Sequence, residues 1–114
     1  MAKPELEFHM PPGEWGRAMA GIEGMWEQIL SQDPDTGDYA RLVRMEPGTD
    51  TSTAGILEHE FKEEVYIVAG DLTDLTLGEV FTAGMYACRP PGMKHGPYRS
   101  ESGCLMVEFR YEYP

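Results

Sequence analysis

A chain of 114 residues, 41% hydrophobic and 25% charged, has the make-up of one compact soluble globule, and no apolar run approaches the roughly 18 to 20 residues of a membrane helix. Nine basic against 20 acidic residues give a formal net charge of −11, which repels a phosphate backbone and argues against DNA or RNA as a partner. Two cysteines, Cys88 and Cys104, are too few for a disulfide framework and lack the paired spacing of a zinc ribbon, so they read as small core residues.

The chain opens with MAKPELEFHMPPGEWG, whose few apolar residues are interrupted by Pro, Glu and Lys. That is not the apolar core of a secretory signal, so cytoplasmic residence is expected. His9 stands among prolines and carries no expected role. WGRAMAGIEGMWEQIL has some helical spacing, yet Gly16, Gly21 and Gly24 each cost a helix about 1 kcal/mol relative to Ala. Residues 1–24 therefore read as an irregular N-terminal arm.

From there the rhythm is that of strands. MWEQILSQ and DYARLVRMEP flank DPDTG, whose Pro34 and Gly37 suit a reversal, which predicts a hairpin over about residues 25 to 46. AGILEHEF, EEVYIVAGDL, EVFTAGMYACRPPG and CLMVEFRYEYP follow, each apolar or alternating and each bounded by Gly, Asp, Pro or Ser. In the first of these, Leu57, His59 and Phe61 fall on one face by the period-two rule, so His59 is expected to face inward. FKE can turn the chain after it, so that the far strand brings a carboxylate back to His59; the alternative is that His59 and Glu63 mark a surface hairpin corner with scattered charge. In the last, Leu105, Val107, Phe109 and Tyr111 form an apolar face. Met106, Glu108, Arg110 and Glu112 form a largely charged one, expected to meet solvent or a dimer edge. Seven to nine short antiparallel strands must close into a barrel or stack as a sandwich to hide their edges. The predicted organisation is all-β, a single domain over 1–114 with its barrel at about 25–112.

Two spacings carry chemistry. His59 is followed after three residues by Glu63 and after six more by Gly70. Further on, Gly84, five residues, Pro90, one residue, Gly92, two residues and His95 form a tightly framed turn, with Arg99 three residues beyond. Both segments together resemble the two motifs of the cupin family. His59, Glu63 and Gly70 match the second histidine, the glutamate and the glycine of the first motif, and Gly84, Pro90, Gly92 and His95 match the second. EEVYIVAGDLTD, PPGMKHGP and SGCLMVEF look most like the cupin domain of zinc-binding anti-sigma factors and of small acetylacetone-cleaving-type dioxygenases. The likeness covers about residues 40 to 112. Two positions depart from the pattern: Leu57 stands where the family has its first histidine, and Arg99 where it has an asparagine.

The resemblance implies a double-stranded β-helix, or jelly-roll, barrel holding a metal. His59, Glu63 and His95 would then be the ligands, a two-histidine, one-carboxylate set that leaves three positions open on non-haem Fe(II); Zn, Ni or Mn are the alternatives. Unpaired, such groups inside an apolar barrel cost several kcal/mol, which coordination offsets. The expected function is a metal-dependent enzyme acting on a small oxygen-rich molecule. A dioxygenase leads; a lyase, isomerase or decarboxylase, and a non-catalytic ligand-sensing module, are the alternatives. The expected assembly is a homodimer. Arg99 either reaches the pocket to pair with an anionic substrate group or is simply solvated, and Tyr66 and Tyr86 are either proton donors and pocket walls or core. Met85, Met93 and Met106 are expected near the cavity, or in an ordinary core.

Overall fold

The computed structural model describes residues 2–112. Eight strands form among them: β1 (Gly16–Arg17), β2 (Met25–Gln32), β3 (Tyr39–Met45), β4 (Lys62–Asp74), β5 (Glu79–Thr82), β6 (Tyr86–Arg89), β7 (Tyr98–Arg99) and β8 (Cys104–Tyr111), with one 3-10 turn at Ser52–Ala54. Every pairing is antiparallel. The order runs β1-β2-β3-β8-β4-β5, with β6 and β7 also on β4. The fold is a double-stranded β-helix, all-β as expected.

The hairpin of β2 and β3 stands where DPDTG predicts it. Asp33 accepts the amides of Asp35 and Thr36, and Gly37 takes a positive φ of 80° to close the turn. The arm through residue 24 is irregular apart from the two residues of β1, which pair with Trp26 and Glu27.

The largest departure is β4. The chain bends at Glu60 and Phe61, slightly ahead of the expected turn at FKE, and the strand that follows starts at Lys62 and runs for 13 residues, longer than EEVYIVAGDL suggests. Its first part, Lys62–Gly70, pairs with β8 and its last, Asp71–Asp74, with β5, so one strand passes from one sheet to the other. Gly70 is the corner. It has a φ of +87°, and a β-carbon there would overlap the carbonyl oxygen of Gly103, just ahead of β8.

A second departure is the facing of β8. Cys104, Met106 and Glu108 are buried, whereas Phe109 is exposed. The strand therefore presents to the interior the face that alternation assigned to solvent. Across β3 the register joins Met45 to Cys104, Val43 to Met106 and Arg41 to Glu108. An apolar core of Ile22, Met25, Val43, Met45, Val65, Ile67, Leu72, Cys104 and Met106 packs inside the barrel, each large side chain worth about 1.5 to 3 kcal/mol of transfer free energy.

Two further expectations are corrected here. Cys104 is buried but Cys88 is exposed. Tyr66 and Tyr86 face each other in register across β4 and β6 on the outer surface, 45% and 58% exposed, rather than in the core or at the cavity.

Candidate metal centre

His59 and His95 are brought together by backbone pairing. Leu57 and His95 form an isolated antiparallel bridge, their amides donating to each other's carbonyls at 2.8 and 3.0 Å, and Gly92 donates to the carbonyl of His59 at 2.9 Å. The PPGM turn leads into this pairing, Met93 donating to Pro90 at 3.1 Å with Gly92 at a φ of 83°. Glu63 arrives from the start of β4, inward-facing by the pleat. The result is one cluster: ligand atoms of His59, Glu63 and His95 all lie within 4.8 Å of one another. His59 Nε2 stands 3.9 Å from Glu63 Oε2, and the two imidazole centroids are 4.8 Å apart. His59 also stacks on Phe61 at 4.5 Å, nearly parallel.

The other carboxylate oxygen is taken. Arg89 Nη1 donates to Glu63 Oε1 at 2.6 Å, and Arg89 Nη2 donates to the Tyr98 hydroxyl at 2.7 Å. Arg89 is therefore a clamp that leaves Glu63 Oε2 facing the histidines. Burial pushes the Tyr98 hydroxyl above its ordinary range, which keeps it a neutral acceptor for Arg89.

His95 is 8% exposed, and neither ring nitrogen has a hydrogen-bond partner. Burial first, and then the positive charge of Arg89, lower its pKa to about 4, so the ring is neutral near pH 7 with a lone pair available. A buried polar atom left without a partner costs about 1 to 3 kcal/mol. A cation at the cluster would relieve that, and neutral imidazole with carboxylate is the donor set that zinc and first-row transition metals take. The residues present fit a divalent metal.

A cavity of about 90 Å³ opens over this cluster, on the order of six to nine water-sized positions. Its lining mixes polar side chains, among them Tyr39, Arg41, Arg89 and Glu108, with apolar ones, among them Leu57, Phe61, Leu72 and four methionines, Met19, Met25, Met45 and Met106. Arg41 and Glu108 form an ion pair in the cavity lining, Nε and Nη2 donating to Glu108 Oε1 at 2.9 and 2.7 Å, and Arg41 Nη1 donates to Glu27 at 2.7 Å. Burial raises the carboxyl of Glu108, with Arg41 opposing that rise. Burial likewise raises the Tyr39 hydroxyl to about 12, so it is a proton donor rather than a phenolate.

Arg99 and Tyr66 do not line this cavity. Arg99 lies on β7 with Nε donating to Glu101 at 2.7 Å, the solvated alternative. Met106 lines the cavity, whereas Met85 and Met93 are exposed elsewhere. Sequence reasoning missed Arg89, Arg41, Glu108 and Tyr98. A signal for Arg89 was available: in YACR, alternation puts Ala87 and Arg89 on the face opposite Tyr86 and Cys88.

Comparison with known proteins agrees with this architecture. A family model described as ChrR Cupin-like domain matches residues 9–113. Among solved structures, an RmlC-like cupin from Shewanella frigidimarina is similar, with 22% identity, a TM-score of 0.70, and 96% of this chain and 94% of that one covered. So is an acetylacetone dioxygenase from Acinetobacter johnsonii, with 14% identity, a TM-score of 0.73, and 94% and 74% covered. A chain of the Rhodobacter sphaeroides complex between SigE and the anti-sigma ChrR matches with 20% identity and a TM-score of 0.64 over 90% of this chain, which spans 52% of that one. These identities speak to the fold. Among curated proteins, none matches this sequence.

Proposed function

The chain belongs to the ChrR cupin-like domain family, and from that premise we propose that His59, Glu63 and His95 hold one divalent metal at which the protein acts on a small organic molecule. The observation that carries this reading is His95, a buried neutral imidazole without a hydrogen-bond partner beside a second imidazole and a free carboxylate oxygen. Ferrous iron with dioxygenase chemistry is the leading assignment, because two histidines and one carboxylate leave open positions for substrate and dioxygen. When bound, the metal would supply Lewis acidity toward a substrate oxygen and, as iron, redox chemistry.

The chain's own residues do the rest. Arg89 holds Glu63 by one oxygen, so the carboxylate offers the other. Leu57, Phe61 and the methionines in the lining favour a substrate with an apolar body. Tyr39 can hold a proton toward a substrate oxygen. The small volume favours a short substrate over a sugar chain.

A second reading is a metal-responsive binding module, favoured by the family match and by the Arg89–Glu63 pair, which leaves the carboxylate compensated before any metal arrives. A homodimer belongs to the same proposal, formed where Tyr66, Val68, Tyr86 and Phe109 are exposed on the outer sheet face.

Elemental analysis of the purified protein beside a His59→Ala, His95→Ala double variant is the test. Iron near one per chain, lost in the variant, followed by oxygen uptake with small β-diketones or catechol-like compounds, supports the enzyme. Zinc or nickel in its place favours lyase or isomerase chemistry, and no metal after reconstitution overturns the reading.

A further inference from the structure

Behind the metal cluster lies a second cavity, of about 200 Å³, lined by Ile56, Leu77, Phe81, Ala87, Met93 and Tyr98 on its apolar side. Arg89, His95 and Tyr98 line both cavities, so those three side chains are the wall between them. The second cavity is preformed. Asp74 Oδ1 accepts the amides of Thr76 and Leu77 at 2.9 and 3.0 Å, and the Thr76 hydroxyl donates to the carbonyl of Gly96 at 2.7 Å, which ties the two loops that flank it.

Its mouth is apolar and exposed. Ile56, Leu77 and Met93 are 55%, 64% and 45% exposed, three large apolar side chains around one opening, a combination that marks a binding surface. Of the charged residues lining it, Arg89 is paired with Glu63 and Asp74 is turned to its backbone amides. Lys94 is exposed at the rim and makes no hydrogen bond or ion pair among the described residues. In a chain carrying 20 acidic residues against 9 basic ones, an unpaired ammonium beside an apolar hole is a specific feature.

We propose that this second cavity binds a small carboxylate with an apolar body, the body on Ile56, Leu77, Phe81 and Met93 and the carboxylate on Lys94, at a site that meets the metal cluster only across the shared wall of His95, Arg89 and Tyr98. A neutral molecule of the same shape takes the apolar contacts without the charge interaction. The occupant would pack against the outer side of the His95, Arg89 and Tyr98 wall.

The test is an amide chemical-shift titration of the metal-free full-length chain with hexanoate and, separately, hexanol. Metal-free protein makes it independent of the metal assignment. The expected result is saturable shifts at the amides of Thr76, Leu77, Lys94 and Gly96 with both. Lys94→Gln should weaken hexanoate about two- to fivefold, the range of an exposed ion pair, and leave hexanol unchanged. Ala87→Phe, which fills the cavity, should abolish both. Shifts that do not saturate, shifts centred on Met25, Met45 and Met106 instead, or equal loss of both ligands in Lys94→Gln each overturn the proposal.

Discussion

Arg89 and Glu63 are register partners on β6 and β4, and their side chains meet in a 2.6 Å charge-assisted hydrogen bond at the cavity wall. The carboxylate proposed as a metal ligand is thus compensated by a buried cation when no metal is bound. Removing the guanidinium leaves a buried charge alone. Arg89→Met should destabilise the chelator-treated protein by about 3 to 5 kcal/mol, and added divalent metal should recover more stability in this variant than in the parent. Urea unfolding with and without metal reads both; equal metal stabilisation in the two proteins would show that the clamp and the metal do not share Glu63.

The buried His95 predicts a pH dependence. Its folded pKa of about 4 lies below the ordinary 6.5, so between those values the unfolded chain binds the extra proton and the folded one does not. Stability of metal-free protein from this group should therefore fall as pH drops from about 6.5 to about 4 and be level above that window. His95→Leu should flatten the slope. Thermal unfolding in chelator across that range checks it.

Arg41 and Glu108 form a buried pair with Glu27 as a third member. Glu108→Leu alone should cost about 3 to 5 kcal/mol by leaving Arg41 short of its main partner. The double variant Arg41→Met, Glu108→Leu should recover much of that. A double-mutant cycle in denaturant measures the coupling, and additive losses would mean the two charges act separately.

Gly70 is the corner at which β4 changes sheets. Gly70→Ala must hold a non-glycine residue at a φ of +87° against the Gly103 carbonyl, a strain of about 1 to 3 kcal/mol before any clash is counted. Gly78→Ala, at a φ of +72° with nothing within 4 Å of its added β-carbon, carries the strain alone. The melting temperature should fall further for Gly70→Ala than for Gly78→Ala.

Local chemistry made part of this molecule legible beforehand. The DPDTG hairpin needs only its own turn residues, and the framed turn from Gly84 to His95 carries its histidine in its spacing. His59, Glu63 and His95 could be named together because the two segments that carry them resemble the two cupin motifs; spacing alone left His59 and Glu63 open to being a surface corner. The bend expected at FKE lies at Glu60 and Phe61, and the change of sheet further along β4 has its own steric reason at Gly70.

Residue order by itself determined the all-β class and the hairpin, and its resemblance to the cupin motifs pointed to the three residues that stand within 4.8 Å of one another. Tertiary structure alone decided which side of β8 looks inward and which arginines face the cluster. Alternation states which residues share a face, but the inward face follows from what lies opposite. Glu108 is buried because Arg41 is its partner in register on β3, and Arg89 is buried because Glu63 faces it across β4. Burying a charge is tolerable only with its counter-charge in place, and that counter-charge is 67 residues away in one case and 26 in the other.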